Sequence, residues 1–225
     1  MSLKHTPLTI IVAATPKNGI GHGGKLPWPM LKNEMAYFAR VTKRVPKVND
    51  NCQSDAGAAA TFGALRQNIV IMGRKTWDSI PSKFRPLKDR TNVVISTQSR
   101  SDLESIPEDV VVAPDIMTAL QSLESLINAG RAPHAGRAFV IGGAKVYAAA
   151  LQLPQTKNIL MTRLETDFDC DIIFPDDLNA IGSGWCKKNP EDLQQFVEEN
   201  ITPGPLTEAA GDRVVTYRFC LYQRG

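Results

Sequence analysis

The hydrophobic positions of this chain fall into short, unbroken runs: LTIIVAA at 8–14, NIVIMG at 68–73, TNVVIST at 91–97, DVVVAP at 109–114, RAFVIGG at 137–143 and NILMTRLE at 158–165. Each is rich in Val and Ile and bounded by Gly, Pro, Asn or Ser. Strands buried on both faces, as in a mostly parallel sheet, read this way. Helical patterns lie between several of them. The clearest runs from Ile116 to Asn128, with Ile116, Ala119, Leu120, Leu123 and Ile127 on one face, Asp115 as N-cap and Gly130 just past its end. The C-terminal stretch VVTYRFCLYQR (214–224) instead alternates, putting Val215, Tyr217, Phe219 and Leu221 on one side, which predicts an antiparallel closing strand. The expected fold is α/β: one domain over residues 1–225, with a mostly parallel twisted sheet of about eight strands, flanking helices and an antiparallel C-terminal strand. Three Gly-, Ala-, Pro- or Asn-rich stretches read as surface insertions, Arg44 to Arg66, Ala129 to Gly136 and Pro203 to Asp212. There is no internal repeat.

Composition narrows the class. A chain of 225 residues, 43% hydrophobic and 22% charged, is ordinary globular material. A net charge of +3 is too small and too evenly spread for a nucleic-acid binder, yet suits an anionic small molecule if basic groups converge in a cleft. Cys52, Cys170, Cys186 and Cys220 show no CxxC spacing, and with three scattered histidines they offer no metal-ligand cluster. The apolar run near the N-terminus is too short for a signal peptide or membrane span, so reduced thiols in the cytosol are expected.

Three segments could carry chemistry. After Pro29, MLKNEMAYFARVTKRV reads as a helix with Leu31, Met35, Phe38, Val41 and Val45 on one apolar arc and Lys32, Ala36, Arg40 and Lys43 opposite. Glu34 falls inside the arc. Either it sits at the edge and reaches water or an arginine, or it is a carboxyl held in an apolar pocket, where desolvation favours the neutral form and fits it for proton chemistry. The second segment type is a strand running into glycine. IVIMGRKTW (69–77) passes through Gly73 into a short helix stopped by Pro81, and AFVIGGAKVY (138–147) passes through Gly142-Gly143 into a helix carrying Lys145. Each is either a tight turn or a cradle for phosphate, and two in one chain point to a dinucleotide. VVIST (93–97) adds the hydroxyls of Ser96 and Thr97 at another strand end. No GxGxxG follows the first strand, so this is not the ordinary Rossmann fingerprint. The third segment is the glycine-rich loop NGIGHGGKLPWP (18–29), able to close over a ligand, with Trp28 as either a core anchor or a site residue.

Taken in order, GIG..G.LPWP with an acidic residue six positions after its tryptophan, then MGRKTWDSIP, RPLKDRTNVVIS and VIGGAKVY, resemble dihydrofolate reductase, and the insertions look more like those of its fungal members than the compact bacterial ones. The similarity runs from about Leu8 to Ala39 and from Asn68 to Tyr222. The resemblance implies an NADPH-dependent reduction of dihydrofolate to tetrahydrofolate by a cytosolic monomer, a target for antifolates, with no nucleic-acid or membrane partner. It implies that Glu34 contacts the pteridine and promotes protonation of the reduced double bond, with Trp28 and Thr162 completing the catalytic set. Ile11, Val12, Met35, Phe38, Ala39, Ile80, Phe84, Arg85, Leu87, Ile141 and Tyr147 would surround the substrate, and Arg90 would hold its glutamate tail. NADPH would lie along Ala13, the loop of Gly19, Ile20, Gly21, His22, Gly23, Gly24, Lys25 and Leu26, then Gly73, Arg74, Lys75 and Thr76. Its other contacts would be Ser96, Thr97 and Gln98, then Gly142, Gly143, Ala144, Lys145, Val146 and Tyr147. The resemblance also implies a cis peptide between Gly142 and Gly143. Thr97 stands where vertebrate members often have a basic residue, which leaves Arg74, with Arg100 as a substitute, for the 2′-phosphate. Phe84 replaces a polar residue found in some members. Two other readings are a pyrimidine reductase of riboflavin biosynthesis, whose members lack the acidic residue on the first helix, and a non-catalytic nucleotide-binding paralogue.

Overall fold

Residues 2–46, 65–103 and 106–225 are described by the computed structural model. Strand β1 (Leu8–Ala14) lies inside the main sheet, paired in parallel with β6 (His134–Gly142) on one side and β7 (Thr156–Leu164) on the other. Beyond β6 the sheet continues in parallel through β3 (Arg66–Gly73), β4 (Arg90–Ile95) and β5 (Val111–Ala113). Beyond β7 it turns antiparallel, through β11 (Arg213–Gln223) to β10 (Leu206–Ala210), with the short β9 (Cys186–Lys187) also on β11. A separate two-stranded ribbon joins β2 (Gly19–Gly21) to β8 (Ile172–Ile173).

The apolar runs behave as their composition requires. Asn68 to Met72 are buried without a break, and neighbouring residues of one strand enter opposite halves of the core. Ile10, Val12, Ile69, Ile71, Val93 and Val140 pack under α3 (Ile116–Asn128) and α4 (Ala144–Leu151). Ile11, Val70, Met72, Val94, Phe139 and Leu160 pack under α1 (Lys32–Lys43), α2 (Arg74–Ser79) and α5 (Pro190–Val197). The α3 boundaries match their capping signals: Asp115 accepts from the Thr118 amide at 2.8 Å, and Gly130 has φ +66°. Among the described residues no helix is long and apolar enough to cross a membrane.

Two of the stretches read as insertions, Ala129–Gly136 and Pro203–Asp212, carry residues of the main sheet. Of Arg44–Arg66, residues 47–64 lie outside the described residues. Ala129–Gly136 already contains the start of β6, where a side chain on Gly136 would come within 2.4 Å of Asn68 Oδ1. Pro203–Asp212 contains β10, a true sheet strand with Glu208 and Ala210 buried. Its short Thr- and Ala-bearing alternation, broken by an inward carboxylate, carries no apolar signature.

Candidate active site

The helix that carries Glu34 begins after Leu31, whose side chain cannot cap it. Its buried face is Glu34, Tyr37 and Val41, whereas Met35 is 42% exposed. The expected arc is therefore rotated toward Tyr37. The cause is Phe219 on β11, whose ring stacks on Tyr37 with centroids 3.8 Å apart. Glu34 is 8% exposed and accepts a 3.0 Å hydrogen bond from Thr162 Oγ1 on β7, so the carboxyl is held in the protein rather than at a solvated edge. Burial pushes Glu34 up to about 7; the Thr162 hydrogen bond opposes that rise and the nearby Glu208 carboxylate adds to it. Near neutrality the group is present in both protonation states.

An apolar wall stands on the same side of the sheet. Ile11, on β1, shares a cluster with Phe38, Ile80, Leu87 and Ile141. Asn92 clamps Leu87 from both sides, accepting from its N–H and donating to its carbonyl, each at 2.9 Å. Ala39 is half-buried on α1, and Phe84 is 55% exposed with the Lys83 ammonium 5.0 Å from its ring centroid. Arg90 is 9% exposed and held by the Lys88 carbonyl at 3.0 Å and Thr42 Oγ1 at 2.9 Å. Among the described residues no carboxylate pairs with it. Desolvation lowers its proton affinity, so a carboxylate ligand would be favoured there.

Two expected wall residues are placed differently. The Val12 side chain enters the opposite core layer from Ile11, because successive strand residues alternate, so only its backbone could face the same space as Ile11. Tyr147 is buried in that opposite layer too, donating to the Ile11 carbonyl at 2.9 Å, where it positions β1. Arg85 is engaged with α2, donating to the Trp77 carbonyl and lying over the Trp77 ring. Trp28 packs in a small core with Leu31, Leu164 and Tyr217, and Ala13 packs against that core.

The glycine turns converge. Met72 is in register with Gly142 across β3 and β6, and Gly73 with Ile95 across β3 and β4. Three turns thus sit side by side at the carboxyl ends of adjacent parallel strands, where open α/β sheets bind ligands. A Cβ on Gly73 would come within 3.1 Å of Val146 and 3.8 Å of the Gly143 nitrogen, and one on Gly143 within 3.3 Å of Thr76 Oγ1. The Gly142-Gly143 peptide is cis. Around this shelf Ala144 is half-buried and Ser96 follows β4, while Arg74, Lys75, Lys145, Thr97 and Gln98 are exposed. Arg74 pairs with Asp78 at 3.0 Å. Arg100 is not free to substitute for it, since its two terminal nitrogens donate to the carbonyls of Val110 and Pro107.

The glycine-rich loop is tethered at two points. Gly19 and Gly21 belong to β2, and the Gly23 amide donates to Asp171 at 2.9 Å. Ile20 packs on the core, while His22, Gly24, Lys25 and Leu26 are exposed. Arg163, beside Thr162, fixes the base of the loop by donating to the Thr15 carbonyl and Asn18 Oδ1. Sequence reasoning missed Arg163, Asn92 and Glu208. Polar residues inside the apolar runs TNVV and LMTRL were signals for the first two.

A family model described as dihydrofolate reductase matches residues 61–200. The chain is 37% identical over 220 residues to the dihydrofolate reductase of Pneumocystis carinii, covering 96% of each protein. It is also 37% identical over 222 residues to that of Schizosaccharomyces pombe, covering 96% of this chain but only 46% of that longer relative. The solved structure of Schistosoma mansoni dihydrofolate reductase is similar with a TM-score of 0.69 at 30% identity, over 98% of this chain and 100% of the other.

Proposed function

This chain belongs to the dihydrofolate reductase family and reduces dihydrofolate, and from that premise we propose that NADPH is its hydride donor and Glu34 the group that governs the proton. The observation that carries this reading is a carboxyl group buried beside an apolar wall and held by Thr162, where burial pushes it up to about 7. NADPH, when bound, supplies a hydride to the carbon–nitrogen double bond of the pteridine. Reduction of that bond leaves a nitrogen needing one proton. Glu34 keeps a proton available at neutral pH, Thr162 fixes the carboxyl oxygen that faces it, and Ile11, Phe38 and Leu87 limit water around the ring. Arg90 receives the carboxylate of the substrate tail.

The residues present fit the cofactor: on the shelf of Gly73, Gly142 and Gly143 an added side chain would crowd Val146, Tyr147 and Thr76 at 3.1–3.3 Å, so glycine there permits the close backbone approach that a pyrophosphate needs. Arg74 and Ser96 supply the polar contacts for the 2′-phosphate. The reading includes a cytosolic monomer with no nucleic-acid or membrane partner, in keeping with free thiols at Cys170, Cys186 and Cys220. The riboflavin-pathway and non-catalytic readings are not favoured.

Loss of NADPH absorbance is followed with dihydrofolate and, separately, with a riboflavin-pathway pyrimidine; turnover is expected with dihydrofolate only. Glu34→Gln should lower turnover by about 10²–10⁴-fold while retaining NADPH affinity. A near-normal rate with a flat pH profile would leave Glu34 as a positioning group and send the proton by another route.

A further inference from the structure

We propose that Glu208 is a positioning residue for the reaction: from β10 it holds the first turn of α1 and sets a like charge beside Glu34. The first amides of a helix have no partner within it. Residue 31 would ordinarily be Ser, Thr, Asp or Asn, but here it is Leu31, 1% exposed and committed to the core. The missing acceptor comes from the other end of the chain. Both carboxylate oxygens of Glu208 lie 3.1 Å from the Asn33 amide, and Tyr217 donates to one of them at 3.2 Å. The β10–β11 register, Glu208 opposite Val215, fixes this reach. A carboxylate at a helix N-terminus is favoured by the helix dipole, which explains how Glu208 tolerates being 8% exposed.

The same placement bears on the proton. Asn33 is the residue before Glu34, so Glu208 stands over the turn that carries the reacting carboxyl, and its charge opposes ionisation of Glu34. The other groups within hydrogen-bonding or electrostatic reach of Glu34 do not respond in the working pH range. Thr162 on β7 is a neutral hydroxyl. Tyr37 on α1, Tyr147 on α4 and Tyr217 on β11 are each pushed above the ordinary tyrosine range by burial, and stay neutral. Among the described residues no cation forms an ion pair with Glu34 or Glu208. Burial and Glu208 both raise the proton affinity of Glu34 toward neutrality. A capping residue at position 31 would have stabilised the helix without this second effect.

The inference rests on Glu34 being the proton-governing group, and its test reads Glu34 without turnover. The carboxyl stretch of Glu34, isolated as the infrared difference against Glu34→Gln, is titrated in the wild-type background and in Glu208→Gln, Glu208→Ser and Glu208→Asp backgrounds. Glu208→Gln keeps an acceptor for Asn33 but loses the charge. Its Glu34 midpoint should fall by about half a pH unit or more, roughly threefold in proton affinity, while Glu208→Asp stays near wild type. The midpoint of the turnover profile should move with it. Glu208→Ser makes the same prediction if Glu208→Gln does not fold. A shifted infrared midpoint in an enzyme whose turnover ignores Glu34→Gln would support the coupling and count against the reductase mechanism alone. An unchanged infrared midpoint in the neutral variants would overturn the proposal.

Discussion

Thr162 donates its hydroxyl to Glu34 Oε1 at 3.0 Å across 128 residues of sequence, and the bond favours the ionised carboxylate. Thr162→Val removes the donor and keeps the shape. The midpoint of turnover against pH should rise by about one unit, since a hydrogen bond to a charged group contributes roughly 1.5 kcal/mol. Maximal turnover should fall, because the carboxyl is no longer fixed. A midpoint equal to wild type would show that the bond does nothing for the proton.

Burial of Glu34 also has a stability signature. Its carboxyl rises from 4.5 to about 7 on folding, so the folded state binds the proton more tightly than the unfolded one. The stabilisation is fully present below pH 4.5 and is lost as pH climbs through about 7. Glu34→Gln does not lose it. Between pH 4.5 and 8 the variant should gain on wild type by something on the order of 3 kcal/mol in urea unfolding. Parallel stability curves would mean that Glu34 is solvated.

Arg90 is a buried cation awaiting a partner. Arg90→Leu should weaken a ligand bearing the glutamate tail by about 2–5 kcal/mol and spare a small diaminopyrimidine with no carboxylate. Calorimetry with both ligands separates the outcomes, and equal losses would make Arg90 structural.

Arg74 and Asp78 pair on one helix with 45% and 43% of their side chains exposed. Such a pair contributes about 0–1 kcal/mol, so the guanidinium can be recruited by a phosphate at little loss. Arg74→Ala should raise the Michaelis constant for NADPH several-fold and leave that for NADH nearly unchanged. Equal effects on both would remove Arg74 from the 2′-phosphate site.

Gly19 has no room for a methyl group: its Cβ would lie 2.3 Å from Cys170 Sγ and 2.7 Å from Cys170 Cβ. Gly19→Ala should destabilise the protein by about 1–3 kcal/mol and impair turnover through the glycine loop. Adding Cys170→Gly removes both clashing atoms and should restore much of each loss. No rescue in thermal melts would place the strain elsewhere.

Local signals account for what was legible in advance. LTIIVAA gives the full span of β1, and Asp115 with Gly130 brackets α3, because burial on both faces and helix capping leave marks within a few residues. Glu34 stood out for the same reason, a charge on an apolar arc. What was missed depends on partners far along the chain. Tyr37 turns inward because Phe219 stacks on it, and β10 exists because β11 offers it an edge. The opposite directions of the Val12 and Ile11 side chains were also legible, in the alternation along β1.

The Glu208–Asn33 contact spans 175 residues of sequence, and this sets an order on the enzyme's birth. The glycine shelf draws on β3, β4, β6 and α4, all made by residue 151. The Glu34 end needs β7, then the β10–β11 hairpin, which follow the shelf in the chain. Chains grow at about 5–20 residues per second, so α1 waits many seconds without its cap. A nascent chain therefore completes the residues of its glycine shelf first, and can cap the helix of Glu34 only once the β10–β11 hairpin is made.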